Sequence, residues 1–577
     1  MSTASDLSAF EHSVEPAAAE VLFSNKKWTY IQDSSSTSGQ YNGQIQLNLQ
    51  SISSQAAFVN WQEAVIQLPI KLQILAGSGF TLATDSSAMI DQLVPKAGSW
   101  QFIDSVSVVI DGVTVQTNQI HENVNATIKA LTEWDLHDLN RYGATSQFAL
   151  DKYAPSTPGG PQSLENVATG DYITSQANIG EFGLANTVVN AGARERSLFT
   201  AVQTTSGALA ADILGGAASA SSIAKPLVYV APAGTIAAGA PLYVAHYVAT
   251  IRLADVCDYF KKCPMSKNAK GFIYINYNSS ITTLTTTATA GNNPVNPKTA
   301  VSFSTGMNYG NTCPIMYNTN SALAASTTSN GVSGLKVPAS TTLQITADVD
   351  GTGTPGSGLT PSQKFTRLLV PTYTPNPTAD QALVQKKSFR YFERFTNKFT
   401  VQPEQSFNYT LTNGISNPKK LFMLPIITNP VSGATVSDTI NPLRSCLTTV
   451  PATTSAFAAL KALQVTVGNV PIWNAPVNFG YDMFVQELRD ASGADCGLDD
   501  THKAGLLSQQ DWESLYRIIP VDIGRRLPSE DGASKAIQVT GVNTTKYALT
   551  VYYHVWRDAI ATVDTSMGTI SQGATQV

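Results

Sequence analysis

Charge is scarce in this sequence. Asp, Glu, Lys and Arg make up 13% of its 577 residues, about half of the usual quarter. A chain that stands alone in water keeps a charged surface, so the shortage indicates that much surface ends against partner subunits. A glycosylated secreted β-protein shares such a composition. The balance is acidic, with a formal net charge of -5, and no Lys/Arg cluster stands at either end. Met1 to Pro16 is mildly acidic and Thr562 to Val577 nearly neutral. Gripping a nucleic acid through a terminal arm requires many phosphate-neutralising cations, so strong direct nucleic-acid binding is not expected.

Cysteine is equally thin. Cys257, Cys263, Cys313, Cys446 and Cys496 are five in number. An odd count without a CxxC pair offers neither a disulfide framework nor a zinc knuckle. Buried free thiols of a protein made inside a cell are the expected state. The N-terminal residues carry neither the basic region nor the apolar core of a signal peptide, so none is predicted. The acceptor patterns at Asn125, Asn278, Asn408 and Asn543 are accordingly expected to stay unmodified. Pro226 to Ile251 runs without Lys, Arg, Asp or Glu, yet Pro226, Pro232, Pro241 and His246 argue against a spanning helix. Two short Val/Tyr-rich strands around an Ala/Gly loop fit that stretch better.

Catalytic patterns are missing too. The six histidines, His12, His121, His137, His246, His502 and His554, belong to no HExxH or deaminase-type pattern. Phosphate-loop and Rossmann glycine patterns do not occur, and Gly77-Ser78-Gly79 lacks the spacing of a nucleophile elbow. No catalytic, cofactor-binding or metal-binding residue is therefore predicted, and no enzyme. Asp348-Val349-Asp350-Gly351-Thr352-Gly353 begins like a calcium loop, but its twelfth position is Leu359 instead of a bidentate Glu. It reads as a strand running out into a turn. Asp495, Asp499 and Asp500 near His502 read as a solvated loop before the next helix, in preference to a metal site.

What the sequence has in abundance is strands. Alternating or β-branched runs cover Gln44 to Leu49, Ala64 to Leu75, Ile103 to Val115, Leu242 to Leu253, Gly271 to Tyr277, Thr341 to Val349 and Phe365 to Pro371. Others cover Ser406 to Leu411, Leu463 to Ile472, Ile537 to Val542 and Tyr547 to Trp556. Turn residues punctuate them at short intervals, as in sandwiches or barrels. Ala/Gly/Ser/Thr tracts at Gly207 to Ala224, Thr282 to Asn293 and Ala322 to Gly334 have too few large apolar groups for a core and read as surface loops. The aromatic run Phe389, Tyr391, Phe392, Phe395 and Phe399, interleaved with Arg390 and Arg394, could mimic a platform for single-stranded nucleic acid. Its partial alternation favours a strand packed on one face. Ser508 and Asp511 form a capping-box-like start to a helix whose Trp512 and Tyr516 should pack inside. Trp28, Trp61, Trp473 and Trp556 are likewise expected in the core.

One unit is written twice. Ser105 to Leu131 lies without a gap on Ala462 to Leu488. Val106, Val108 and Ile110 fall on Leu463, Val465 and Val467. The turn Asp111-Gly112 falls on Gly468-Asn469, and Val113 and Val115 fall on Val470 and Ile472, which makes a β-hairpin in each copy. A short helix follows, with Val124, Ile128 and Leu131 matched by Tyr481, Val485 and Leu488. Upstream, Gln44 to Leu49 leads to Leu68-Pro69-Ile70, as Ser406 to Leu411 leads to Leu424-Pro425-Ile426. The reading is an all-β protein of two tandem jelly-roll sandwiches with short helices and long surface loops, joined near Pro375 to Lys387. Residues 1–25 form an arm, 26–380 the first sandwich with its loop insertions, 381–562 the second and 563–577 a tail.

Read in order, the second unit resembles the major capsid proteins of polinton-like viruses, virophages and adintoviruses, within the double jelly-roll lineage that includes adenovirus hexon. The stretches that carry the resemblance are Phe407 to Leu421, Leu507 to Arg517, Ser534 to Gly541 and, in the first unit, Thr312 to Met316. It spans nearly the whole chain. The resemblance implies a homotrimer whose six jelly rolls approximate a hexagon, and trimers that tile the faces of an icosahedral virion of a double-stranded DNA virus. It also implies a separate single jelly-roll penton protein at the vertices, and leaves room for minor capsid or cement proteins. The chain stops about twenty residues after its last predicted strand, which does not match the cleavable C-terminal extension of some virophage relatives. A secreted carbohydrate-binding sandwich and a polysaccharide-degrading enzyme are the competing classes. The first calls for a groove of exposed aromatics, the second for a convergent carboxylate pair.

Overall fold

The structure is a computed structural model that describes residues 22–53, 57–77, 80–82, 92–151, 153–155, 188–190, 192, 196, 227–230, 234–286, 301–303, 311–318, 342–357, 359, 361–377, 383–412, 414–429, 441–444, 460–496, 505–524, 527–530, 532–545 and 547–573. Sixteen strands carry its architecture and are labelled in chain order; other strands are named by range. The first eight are β1 (Phe23–Gln32), β2 (Gln44–Asn48), β3 (Val65–Ala76), β4 (Ile103–Ile110), β5 (Val113–Gln116), β6 (Pro241–Arg252), β7 (Gly271–Tyr277) and β8 (Arg367–Pro375). The second eight are β9 (Lys386–Val401), β10 (Ser406–Thr412), β11 (Pro418–Asn429), β12 (Leu460–Val467), β13 (Val470–Pro471), β14 (Ile519–Asp522), β15 (Ile537–Asn543) and β16 (Ala548–Asp564).

Strand alternation decides which side of each strand enters the core. Val106, Val108 and Ile110 of β4 are buried while Ser107 and Val109 are half-buried, and Leu463, Val465 and Val467 of β12 repeat the pattern. The turn after each strand has two residues of positive φ, Asp111 and Gly112 at 51° and 78°, Gly468 and Asn469 at 57° and 66°. That is the backbone of a type I′ hairpin, which matches the strand twist and tolerates only residues at ease in the left-handed region.

The pairing then gives one topology twice. Sheet order is β1-β8-β3-β6 facing β2-β7-β4-β5 in the first sandwich. It is β9-β16-β11-β14 facing β10-β15-β12-β13 in the second. Each is an eight-stranded jelly roll. Because every pairing is antiparallel, successive connections alternate between the two ends of a sandwich. The three long connections of the first roll, β3 to β4, β5 to β6 and β7 to β8, therefore all emerge at the same end. Strands Ser280–Thr286 and Thr342–Val349 extend the first sheet at that end, the latter pairing with β3. Long insertions there leave the anchoring strands in place and cost little closure entropy.

The two rolls stand side by side with the same end up. At the loop end, Cys313 N donates to Leu443 O (2.7 Å) and Leu506 N to Leu131 O (2.8 Å). At the opposite end, Lys267 N donates to Thr565 O (2.8 Å) and Asn268 Nδ2 to Ser566 O (2.9 Å). The buried apolar interior runs continuously from one roll into the other.

Several expectations need correction. Trp28 is not in the core: it lies on the edge strand β1 and is 50% exposed, because among the described residues β1 pairs only with β8 and only Ile31 of the strand is buried. Trp61 and Trp556 are buried and Trp473 half-buried. In the second helix the buried positions are Phe484 and Leu488, whereas Tyr481 and Val485 are half-buried. Thr282 to Thr286 is strand, since Thr282, Thr283 and Thr285 pair with Thr342–Val349 and Thr286 with Val301. The remainder of that tract, Gly207 to Ala224 and Ala322 to Gly334 lie outside the described residues. Beyond residue 563 the chain turns back, and Ile570–Gly573 pairs with β16 where a tail was expected. β1 begins inside the expected arm, and the sequence pattern marks neither β1 nor β14 as a strand: one is polar along most of its length, the other only four residues with a proline at the second.

Candidate functional site: a seam inside the chain and an open strand edge

Four helices matter here: α1 (Glu122–Glu133), α2 (Asp258–Lys262), α3 (Tyr481–Cys496) and α4 (Gln509–Ser514). α1 fills the connection from β5 to β6. Val124, Ile128 and Leu131 turn into the first sandwich, and the polar side of the helix meets the second. There Glu122 accepts from Arg394 Nη2 of β9 at 2.7 Å, the two side chains being 4% and 6% exposed. Arg394 Nη1 donates to the Ile120 carbonyl (2.9 Å) and also meets Thr396 and His554. Thr396 N donates to Gln119 Oε1 (3.0 Å), fixing the approach to α1 on the backbone of β9. Charge-assisted bonds buried in this way are strong, and costly to leave half-made.

Further contacts run the length of the seam. Lys129 pairs with Asp258 at 2.7 Å, and Lys420 of β11 reaches Glu133 at 3.7 Å while lying over the Trp556 ring. Tyr259 of α2 packs on Phe389 and Tyr391 of β9, with ring centroids 5.3 and 5.4 Å apart. Toward the loop end Tyr516, just past α4, donates to Asp151 Oδ2 at 2.6 Å, and Arg196 donates to Asp151 Oδ1 at 2.6 Å. Burial, with the Asp151 carboxylate beside it, pushes the Tyr516 phenol well above its ordinary range. Ser508 caps α4 by accepting from Asp511 N (3.2 Å), as its spacing predicted. A polar cleft of about 20 Å³ remains between Glu122, Lys129, Asp258, Glu393 and Arg394, room for one water.

Two histidines are sealed into this seam. His121 precedes α1 with φ of 64°, and burial, reinforced by Arg394 and Lys398, lowers its imidazole to about 3. Burial and the neighbouring Arg394 and His121 hold His554 well below its ordinary value. Both are therefore neutral at pH 7.

The residues singled out from sequence fall elsewhere. Asp350 takes the Lys71 ammonium at 2.7 Å and the backbone N–H of Thr352, so its charge is met by a protein cation at the strand exit. Asp348 accepts from Val349 N, and burial lifts its carboxyl to about 7. Asp495 lies within α3, not in a loop; Asp499, Asp500 and His502 lie outside the described residues. Of the acceptor asparagines, Asn125, Asn278 and Asn543 are buried and Asn408 is exposed on β10. Cys257, Cys263 and Cys313 are buried, and burial pushes the Cys263 thiol up to about 12. The aromatic run opening the second unit is β9, but Arg394 is spent on Glu122 and Tyr391 is covered, so those groups form seam and not a platform. Residues Pro226 to Ile251 contain two paired antiparallel strands, and no helix among the described residues is long and apolar enough to cross a membrane.

The seam covers one edge of the second sandwich. Among the described residues, nothing pairs with the corresponding edge of the first. β1 exposes Trp28 and Tyr30, 50% and 55%, together with Lys26 and Lys27. Lys26 pairs with Glu63 (2.6 Å) and lies over the Trp28 ring. Sequence reasoning missed both the Glu122–Arg394 pair and this edge. Arginines inside an aromatic run and an acid in the first helical turn were the available signals.

No family model matches the chain, and no curated protein matches it. Among solved structures it is similar to the mavirus major capsid protein, with 12% identity over 98% of this chain and 94% of that one and a TM-score of 0.48. It is also similar to a chain in the 3.5 Å cryo-EM structure of the Sputnik virophage, with 13% identity, 98% and 91% coverage and a TM-score of 0.46. A chain in a quasi-atomic model of the PBCV-1 virus capsid gives 9% identity, 98% and 100% coverage and a TM-score of 0.38.

Proposed function

We propose that this chain is the major capsid protein of an icosahedral double-stranded DNA virus, a structural and not a catalytic subunit located in the virion shell. The observation that carries the reading is the same eight-stranded roll used twice, upright and side by side, with the three long connections of the first roll leaving from one end. Such a brick has flat sides for neighbours and one end to turn outward. The two blocks, residues 26–380 and 381–562, supply six similar edges from three chains, so a pseudo-hexagonal trimer needs only threefold symmetry. Obligate contacts of this kind bury on the order of 2,000–5,000 Å². Contacts between trimers can each be weaker, because a closed shell sums many. A single jelly-roll penton protein at the vertices, and minor or cement proteins, complete the proposed partners. Purified full-length protein should form trimers, visible as triangular or hexagonal particles by negative-stain electron microscopy. A population of isolated single-chain particles at micromolar concentration would overturn the proposal.

A further inference from the structure

We infer that the outer face of β1 is the docking site for α3 of a second copy of this chain, repeating between chains the contact that α1 makes with β9 within one. The inference rests on the capsid reading and names the surface through which its trimer would close. The intrachain seam is head-to-tail: the first roll presents α1 and α2, and the second receives them on its first strand, β9. In each roll the helix occupies the same place in the chain, after the short fifth strand and before the sixth. Every roll therefore owns one helix-bearing edge and one first-strand edge. The chain joins two of these four, leaving α3 with β14 and the outer face of β1.

The two uncovered halves carry the chemistry of the covered ones. α1 is buried on its polar side, Glu122 and Asn125 included, whereas α3 leaves Asp482 and Gln486 exposed. β9 meets α1 and α2 with a base, Arg394, and aromatics, Phe389 and Tyr391; β1 offers Lys27 with Trp28 and Tyr30 to solvent. The polarity is the same in both, an acid in the first turn of the helix and a base on the strand. Exposed, rigid aromatics flanked by charge are typical of interface anchors. A head-to-tail contact either closes into a ring or runs on as a filament. With two rolls per chain and the intrachain step already made, three chains close a ring of six.

The test uses the full chain in a dilution series read by mass photometry, with circular dichroism to confirm folding. Trp28→Asp combined with Tyr30→Asp should raise the trimer dissociation constant by about thirtyfold or more while the β spectrum stays unchanged. Lys27→Glu and Asp482→Lys should each weaken the trimer, and together in one chain should recover most of the loss. A wild-type trimer whose dissociation is unmoved by all four changes would overturn this inference while leaving the capsid reading intact. A monomeric wild type would instead remove the capsid reading, and this inference with it.

Discussion

Arg394 and Glu122 bring opposite charges from opposite sandwiches into a buried pair. Removing one partner leaves the other charged in a dry site, which is far worse than never having had the pair. Arg394→Ala should therefore destabilise the fold by about 3–5 kcal/mol, measured as a fall in the denaturant midpoint. A change under about 0.5 kcal/mol, the size of an ordinary surface substitution, would show that the seam does not depend on this pair. The sealed histidines add a pH dependence. Their folded values lie below the unfolded value near 6.5, so their contribution is complete above about pH 6.5. It is lost as pH falls toward the folded value of His121, about 3. Asp348 runs the other way: with its carboxyl lifted to about 7, its contribution fades as pH rises through that value. The His121→Asn, His554→Gln double variant should flatten the acid limb of a melting-temperature profile, Asn being at ease in the left-handed backbone at position 121. An acid limb unchanged by that variant would place the titrating groups elsewhere.

At the scale of elements, the junction of α1 with the second sandwich hangs on a glycine. Gly505 has φ of +61°, and a Cβ there would meet the Leu131 carbonyl oxygen at 2.2 Å, beside the Leu506 N–H bond to the same oxygen. Gly505→Ala should cost about 2–4 kcal/mol through left-handed strain and a clash at the end of α1. Ser508→Ala, which removes only the α4 cap, should cost about 1 kcal/mol. If the two cost the same in chemical denaturation, the close approach at Gly505 carries no special weight. The elements show how far sequence reading reaches. The hairpins at Asp111-Gly112 and Gly468-Asn469 were legible because turn chemistry and alternation act within a few residues. The matching order of strands followed from the repeat. The seam was not legible: Glu122 meets Arg394 across 272 residues and Asp151 meets Tyr516 across 365, and no local pattern announces such partners. Trp28 misled for a related reason, because a lone tryptophan in a strand reads as core until the strand is known to be an edge.

For the whole molecule, low charge and an open edge belong together. A chain with 13% charged residues and exposed Trp28 and Tyr30 is poorly equipped to stay alone in water, and well equipped to bury its sides against copies of itself. The three long connections of the first roll leave from one end, where changes of length leave the packed sides untouched. The most direct measurement is the mass of the purified full-length protein in solution at nanomolar concentration. The capsid subunit proposed above gives a single species at three times 61.3 kDa; a species that stays at 61.3 kDa up to micromolar concentration contradicts the proposal.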